Sequence, residues 1–252
     1  MYLLTISPFK LPKRWLTLVA AAGGLFAAHS AAAQSDTIRV ADCPASAIRA
    51  MTEPDTGAAW FRVLTRWSSE TPGSWSNDSL RTVLRALAAK DQAVRRGVTV
   101  DSTKDSAFLH RMRVVDSANT VAMRGILARY GWPGKSMVGA EGTQDAFLLV
   151  QHSDELRARA LALMQAAGPG EVMPSELALV VDRERTTAGR PQVYGSQLDT
   201  LTNGVLPFFP VEDPSHVEQR RASAGLPPLR TYACVMVTMY KAPVVLPRGV
   251  PR

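Results

Sequence analysis

His152 is the residue in this sequence best suited to proton transfer, because imidazole is the side chain whose ordinary titration spans neutral pH. It follows Gln151 and the apolar run Phe147-Leu148-Leu149-Val150. A polar group buried without a partner costs on the order of 1–3 kcal/mol, so Gln151 and His152 are expected to have partners or to line a cavity. Asp182 and Arg183 interrupt a second inward-facing apolar stretch in the same way. With His152 as general acid or base, Asp182 would orient the ring and Arg183 would hold an anionic group. Gln192, Tyr194 and Gln197 follow in an extended segment, where Gln192 and Tyr194 project to one side. Their amides and phenol would form a hydrogen-bonding surface suited to a peptide or sugar. Trp132 fits either a core plug or a stacking platform for a ligand. Asp91 and Arg95, four apart, share one helix face, and Asp116 and Asn119, three apart, share another. The Asp91–Arg95 pair reads as a helix-surface ion pair or as a support for the site.

What is missing narrows the chemistry. Beyond residue 33 the histidines are His110, His152 and His216, far apart, and neither cysteine has a second at metal-ligand spacing. No metal and no cofactor are therefore expected. There is no Gly-x-Ser-x-Gly elbow, so a hydrolytic reaction would need water or Ser196 as nucleophile. Gly134-Lys135-Ser136 resembles the end of a phosphate loop, but Arg129 stands where its first glycine belongs.

The elements that must position these residues read as mainly helical. Ala58 to Ser68 is a short helix, broken by Pro72-Gly73. Asn77 or Ser76 caps a second, with Leu80, Val83, Leu84, Leu87 and Val94 at helical spacing, ending at Gly97. A third runs from about Lys104 to Tyr130 with a seam of Phe108, Met112, Val115, Ala118, Ala122 and Ile126, stopped by Gly131-Trp132-Pro133-Gly134. Thr143 to His152 is apolar on every side, a buried helix or a short core strand. Asp154 is expected to cap the next helix and Pro174 to open another. Residues 188–211 read as a β-hairpin or ordered extended segment, Pro214 to Ala224 as helix, and Thr231 to Tyr240 as strand or helix. The fold class is thus a multi-helix globular domain with a minor β element. Its divisions are a leader at 1–33, a lead-in with a short helix at 34–76, one helical domain at 77–240, and a Pro-rich, disordered tail at 241–252.

The leader reading rests on order. Lys10, Lys13 and Arg14 precede an apolar stretch from Trp15 to Ala28 and then Ala31-Ala32-Ala33, with no acidic residue before Asp36. That is the pattern of a secretory signal cleaved after Ala33. Its loss removes three basic residues and no acid, lowering the formal charge from +7 to +4. The remaining charges are interspersed, without the basic stripe that nucleic acid requires, and no later run is long enough to span a membrane. The expected location is periplasmic or secreted. In an oxidising compartment Cys43 and Cys234 either bridge the ends of the domain or remain two buried thiols.

Taken in order, Asp91-Gln92-x-x-Arg95, Asp116-x-x-Asn119, Gly131-Trp132-Pro133, Val138-Gly139, Ala146 to His152, Asp182-Arg183 and Gly189-x-Pro191-Gln192-x-Tyr194-Gly195-Ser196-Gln197 resemble a bacterial family called domain of unknown function 6624. The similarity covers roughly residues 80 to 232, with Ser196 where the family usually has threonine, and extends to Asp213-Pro214 and Arg220 or Arg221. It implies that these polar residues form one recurring pattern; it implies no activity. Two readings follow. The first is a module that binds a peptide, glycan or envelope protein through a polar cleft. The alternative is an envelope hydrolase or transferase acting on an amide or glycosidic substrate through His152. In a third, the same residues are a buried network that only specifies the fold.

Overall fold

The computed structural model describes residues 37–44, 58–69, 74–96 and 105–250. The leader, the Pro72-Gly73 break and the Gly97 stop lie outside the described residues. Within them the chain is mainly helical. Strand β1 (Thr37–Ile38) is followed by α1 (Ala59–Ser68), α2 (Asp78–Arg95), α3 (Ser106–Tyr130), α4 (Lys135–Gln151), α5 (Arg157–Ala166) and α6 (Pro174–Thr187). Strand β2 (Leu206–Pro207), α7 (Val217–Ser223), α8 (Leu229–Tyr240) and β3 (Val244–Val245) complete it.

Local chemistry fixes the starts of α2 and α3. Asn77 caps α2, its side chain accepting from Leu80 N at 3.0 Å. Asp105 caps α3 by accepting from Ala107 N and Phe108 N at 2.8 and 3.1 Å. These caps satisfy amides that have no partner inside the helix. Asp154 does not cap α5. Ser153 Oγ accepts from Leu156 N at 3.3 Å instead, and Asp154 pairs with Arg157.

Helix α4 is the central element. Ala146 to Val150 are all buried, packed with Leu84 of α2, Met123 and Leu127 of α3, Met164 of α5 and Val180 of α6 in one apolar cluster. A helix that is apolar all round must be covered all round, which resolves the helix-or-strand ambiguity in favour of helix. Its first turn breaks from the rest at Gly139, whose φ of 74° and ψ of 170° suit glycine. The α3 seam differs from its apolar pattern. Ala118 is exposed, whereas Asn119 and Met123 are buried with Phe108, Met112 and Ile126.

A second apolar cluster surrounds α8, which is a helix because Tyr232, Ala233, Cys234, Met236 and Val237 are buried together. It carries the small sheet, in strand order β1-β3-β2, with β1 antiparallel and β2 parallel to β3. Two expectations are corrected here. The tail does not begin at residue 241: Val244 is fully buried in the middle strand, where both edges find partners (Thr37–Val245 and Leu206–Val244 registers). Nor does the folded unit begin at residue 77, because β1 is part of that sheet. Within residues 188–211 Leu198 pairs antiparallel with Phe208 and Thr202 with Val205, an irregular hairpin that turns at Asn203-Gly204, while β2 also pairs outward with β3.

Cys43 and Cys234 form a disulfide with Cα atoms 5.5 Å apart, tying the N-terminal strand to α8. Its loop closes over a sequence separation of 191. In the chain-entropy account a loop of that length contributes about 5 kcal/mol.

One buried group works against stability at neutral pH. Glu176, in the first turn of α6, is 3% exposed and neither carboxyl oxygen has a hydrogen-bond partner. Burial, reinforced by the negative charge of Asp145 on α4, pushes its pKa well above the carboxylate range. Asp145, also buried, is pushed up to about 6 by burial against the opposing pull of Arg85. A carboxyl that holds its proton longer when folded makes stability fall as pH rises past the unfolded value, until the folded value is passed. The slope reaches about 1.4 kcal/mol per pH unit for each such group. Glu176→Gln is therefore expected to gain stability over the parent protein increasingly from pH 4 to pH 8 in urea titrations. Parallel stability curves for the two proteins would show that Glu176 does not carry this linkage.

Candidate active site

Asp91 is the centre of the polar cluster. It lies in the last turns of α2, fully buried, and its carboxylate collects donors from three helices. Oδ1 accepts from Arg95 Nη1 at 2.6 Å and Asn119 Nδ2 at 3.3 Å, and lies 3.1 Å from His152 Nδ1. Gln92 Nε2 reaches Oδ2 at 2.9 Å. Arg95, 1% exposed, also bonds the Asp91 carbonyl at 3.1 Å and pairs with Asp116 of α3. The pairings Asp91–Asn119 and Arg95–Asp116 run in opposite directions along the chain, so α2 and α3 are antiparallel. Asp91–Arg95 is thus no surface ion pair. It is a buried pair, where each charge must be matched because water cannot do so.

His152 caps the C-terminus of α4, which delivers its ring to the α2–α3 seam. Burial holds the imidazole below its ordinary value of 6.5, Arg95 and Arg183 add to that effect, and the hydrogen bond to Asp91 opposes it. The ring is neutral at pH 7. With a carboxylate facing Nδ1, the proton sits on Nδ1 and Nε2 keeps the lone pair. Only 1% of the side chain is exposed. The residue lines a groove of about 370 Å³ together with Arg113, Asp116, Ser117, Thr120 and Ser153, and its exposed part is main chain rather than ring. Thr120 Oγ1 and Ser153 Oγ are joined at 2.9 Å.

One ligand atom each from Asp91, Asp116 and His152 lie within 4.8 Å of one another, the reach of a metal set. The Arg95 guanidinium, however, already bonds both carboxylates. A divalent ion would have to displace it and leave a buried cation unmatched, so this donor set does not fit a metal.

The remaining predicted residues build something else. Asp182 does not orient His152. It is fully buried and accepts from Val193 N and Tyr194 N at 2.7 and 3.0 Å through Oδ1 and from Ser196 N at 2.9 Å through Oδ2. Burial raises its pKa against the pull of those amides. Gln192, also fully buried, donates to the carbonyls of Gln197 and Phe209 at 3.0 and 2.9 Å and accepts from Gln197 N at 2.8 Å. Gln197 accepts from Arg183 Nε at 3.0 Å and donates to Ser196 Oγ at 2.9 Å. Tyr194 is half-buried against Ala178, Ala224 and Leu226. The expected ligand surface of Gln192, Tyr194 and Gln197 is therefore not formed, because two of the three are consumed in holding the 191–198 loop. Ser196, 1% exposed within that loop, is not placed as a nucleophile. Trp132 is a core plug, 7% exposed. Arg183 touches both regions: besides Gln197 it bonds the Gln151 carbonyl at 2.9 Å, immediately before His152. Gln151 itself is buried with its Nε2 unmatched.

Sequence reasoning missed Ser153 and Thr120, whose hydroxyls carry no pattern of their own, and Arg157, which is 2% exposed; Arg221, named through the family resemblance without a role, is 1% exposed. Arg221 Nη1 bonds the carbonyls of Tyr194 and Gly195 at 2.7 and 3.1 Å, closing the Asp182 loop from the other side. A signal for the pairing of Asp91 with His152 was present only as two polar residues in apolar surroundings.

Removing one member of a buried ion pair strands the other charge, at roughly 3–5 kcal/mol. Arg95→Met is expected to destabilise by that amount in urea unfolding, and the Asp91→Asn/Arg95→Met double variant to recover part of the loss. Additive single and double effects would mean the two charges are not coupled.

No curated protein and no solved structure matches this chain. A family model does, over residues 78–244, a span that includes α2 to α8 and every residue of the Asp91–His152 cluster. The chain belongs to the family of unknown function DUF6624.

Proposed function

We propose that the protein is an exported hydrolase or transferase in which His152 acts as general base and then general acid. The observation that carries this reading is the Nδ1–Oδ1 contact of 3.1 Å between His152 and Asp91 at the wall of a groove. A neutral imidazole whose Nδ1 faces a carboxylate is a base through its other ring nitrogen. As the nucleophile attacks, Nε2 takes its proton. The imidazolium so formed is stabilised by Asp91, and the same proton passes to the leaving heteroatom. Arg95 and Asn119 hold Asp91 in place, and Arg183, through the Gln151 carbonyl, steadies the chain that carries His152. Recognition without chemistry loses support because Gln192 and Gln197 are engaged internally.

Export is supported by the Cys43–Cys234 disulfide, a bond that persists in oxidising compartments, and by the leader pattern at residues 1–33. No described helix is long and apolar enough to cross a membrane.

Against a panel of chromogenic amides and glycosides, His152→Gln is expected to lower turnover by about 10²–10⁴-fold, the usual worth of a general acid–base group. Because the neutral ring is the working form, the rate should fall with acid along a limb centred below 6.5. A folded His152→Gln protein with unaltered turnover would remove the imidazole from the reaction.

A further inference from the structure

Among the charged side chains of the groove beside His152, all but one are matched within the protein. Asp116 is paired with Arg95. Arg124 grips Glu155 through two contacts at 2.6 and 2.7 Å. Asp154 is bonded to Arg157 at 3.0 Å. Arg113 differs. Its Nε makes a 3.3 Å bond to the Leu109 carbonyl of its own helix, and among the described residues no carboxylate lies within ion-pairing distance of it. It stands exposed on α3, one turn before Asp116 and Ser117, and lines the groove with them.

We propose that Arg113 is the specificity residue of the groove and that the substrate carries an oxyanion, a carboxylate or phosphate, which this guanidinium binds while the reacting bond lies toward His152. The inference rests on the acid–base reading above. A planar guanidinium with its two terminal nitrogens unengaged matches the paired oxygens of either anion. The matched charges around it do not compete, since each is already neutralised by its own partner. Ser117, Thr120 and Ser153 line the interval between the anchor and the imidazole, so a substrate with hydroxyl or amide groups beside its anionic end finds hydrogen-bonding partners along the way. The anchor also sets polarity: the negative end of the substrate lies toward the start of α3.

The probes are sodium acetate and sodium phosphate, titrated at constant ionic strength with chloride as the control, while ¹⁵N spectra follow the Arg113 Nε–H and the His152 ring. Saturable shifts at both residues are expected for one of the two anions at least, with phosphate-only or acetate-only saturation identifying the chemical class. A bound anion also favours the imidazolium, so the His152 titration should move upward in its presence. Arg113→Gln should weaken that binding by roughly ten- to a hundred-fold, the worth of a charged hydrogen bond. Arg159→Gln, which removes an exposed cation of α5 that does not line the groove, should leave it within about twofold of the parent. Shifts equal to those with chloride, or unchanged in Arg113→Gln, would overturn the assignment. That outcome is separate from the turnover of His152→Gln, which tests the imidazole alone.

Discussion

A carboxylate removed from water must be surrounded by donors, and Asp91 is where this chain meets that requirement. Its donors come from α2 itself, from α3 and from the end of α4. None of those elements can shift by a side-chain length without stranding a charge in a medium that will not solvate it. The interaction thus sets the α2–α3 register, the orientation of the His152 ring and the position of Asp116 at the groove. The apolar cluster around α4 supplies the bulk of the burial, but greasy contacts are tolerant of small displacements. Hydrogen bonds to one carboxylate are not.

The same device recurs at Asp182, which gathers three backbone amides and so gives the 191–198 loop a single shape. Here the donors are main chain, and the outcome is structural. Gln192 bridges across the loop, while Arg221 and Arg220 take its outward carbonyls. Comparison of the two carboxylates explains why one serves a candidate site and the other does not. Asp91 orients the titratable ring of a residue that lines a groove. Asp182 holds three backbone amides and the Ser196 hydroxyl, none of which titrates near neutral pH. Arg183 stands between them, bonded to Gln197 on one side and to the Gln151 carbonyl on the other, so the rigid loop buttresses the segment that carries His152.

Much of the fold was legible. The caps at Asn77 and the end of α3 at Gly131, the buried character of 146–150 and the mainly helical class follow from local rules of spacing and capping. The β3 strand was not, because a proline-rich tail of low periodicity carries no sign that two other strands will flank it. The seam of α3 was misread at Ala118 for a related reason. Apolar type marks an inward position only where the partner is apolar, and Asn119 faces inward on account of a polar partner on another helix.

The sequence alone determined which residues were candidates: His152, Asp91, Arg95, Asp116, Asn119, Asp182 and Arg183 were all visible as polar groups in apolar or helical settings. It also determined the family pattern, and it offered the cysteines as a pair. Only the tertiary structure decided the partners. Sequence order suggested that His152 would turn to Asp182, thirty residues on; the fold gives it to Asp91, sixty-one residues back. The physical reason is that side-chain pairing within an element is set by helical or strand period, which a sequence displays. Pairing between elements is set by the packing of their apolar faces, which appears only when the chain is folded.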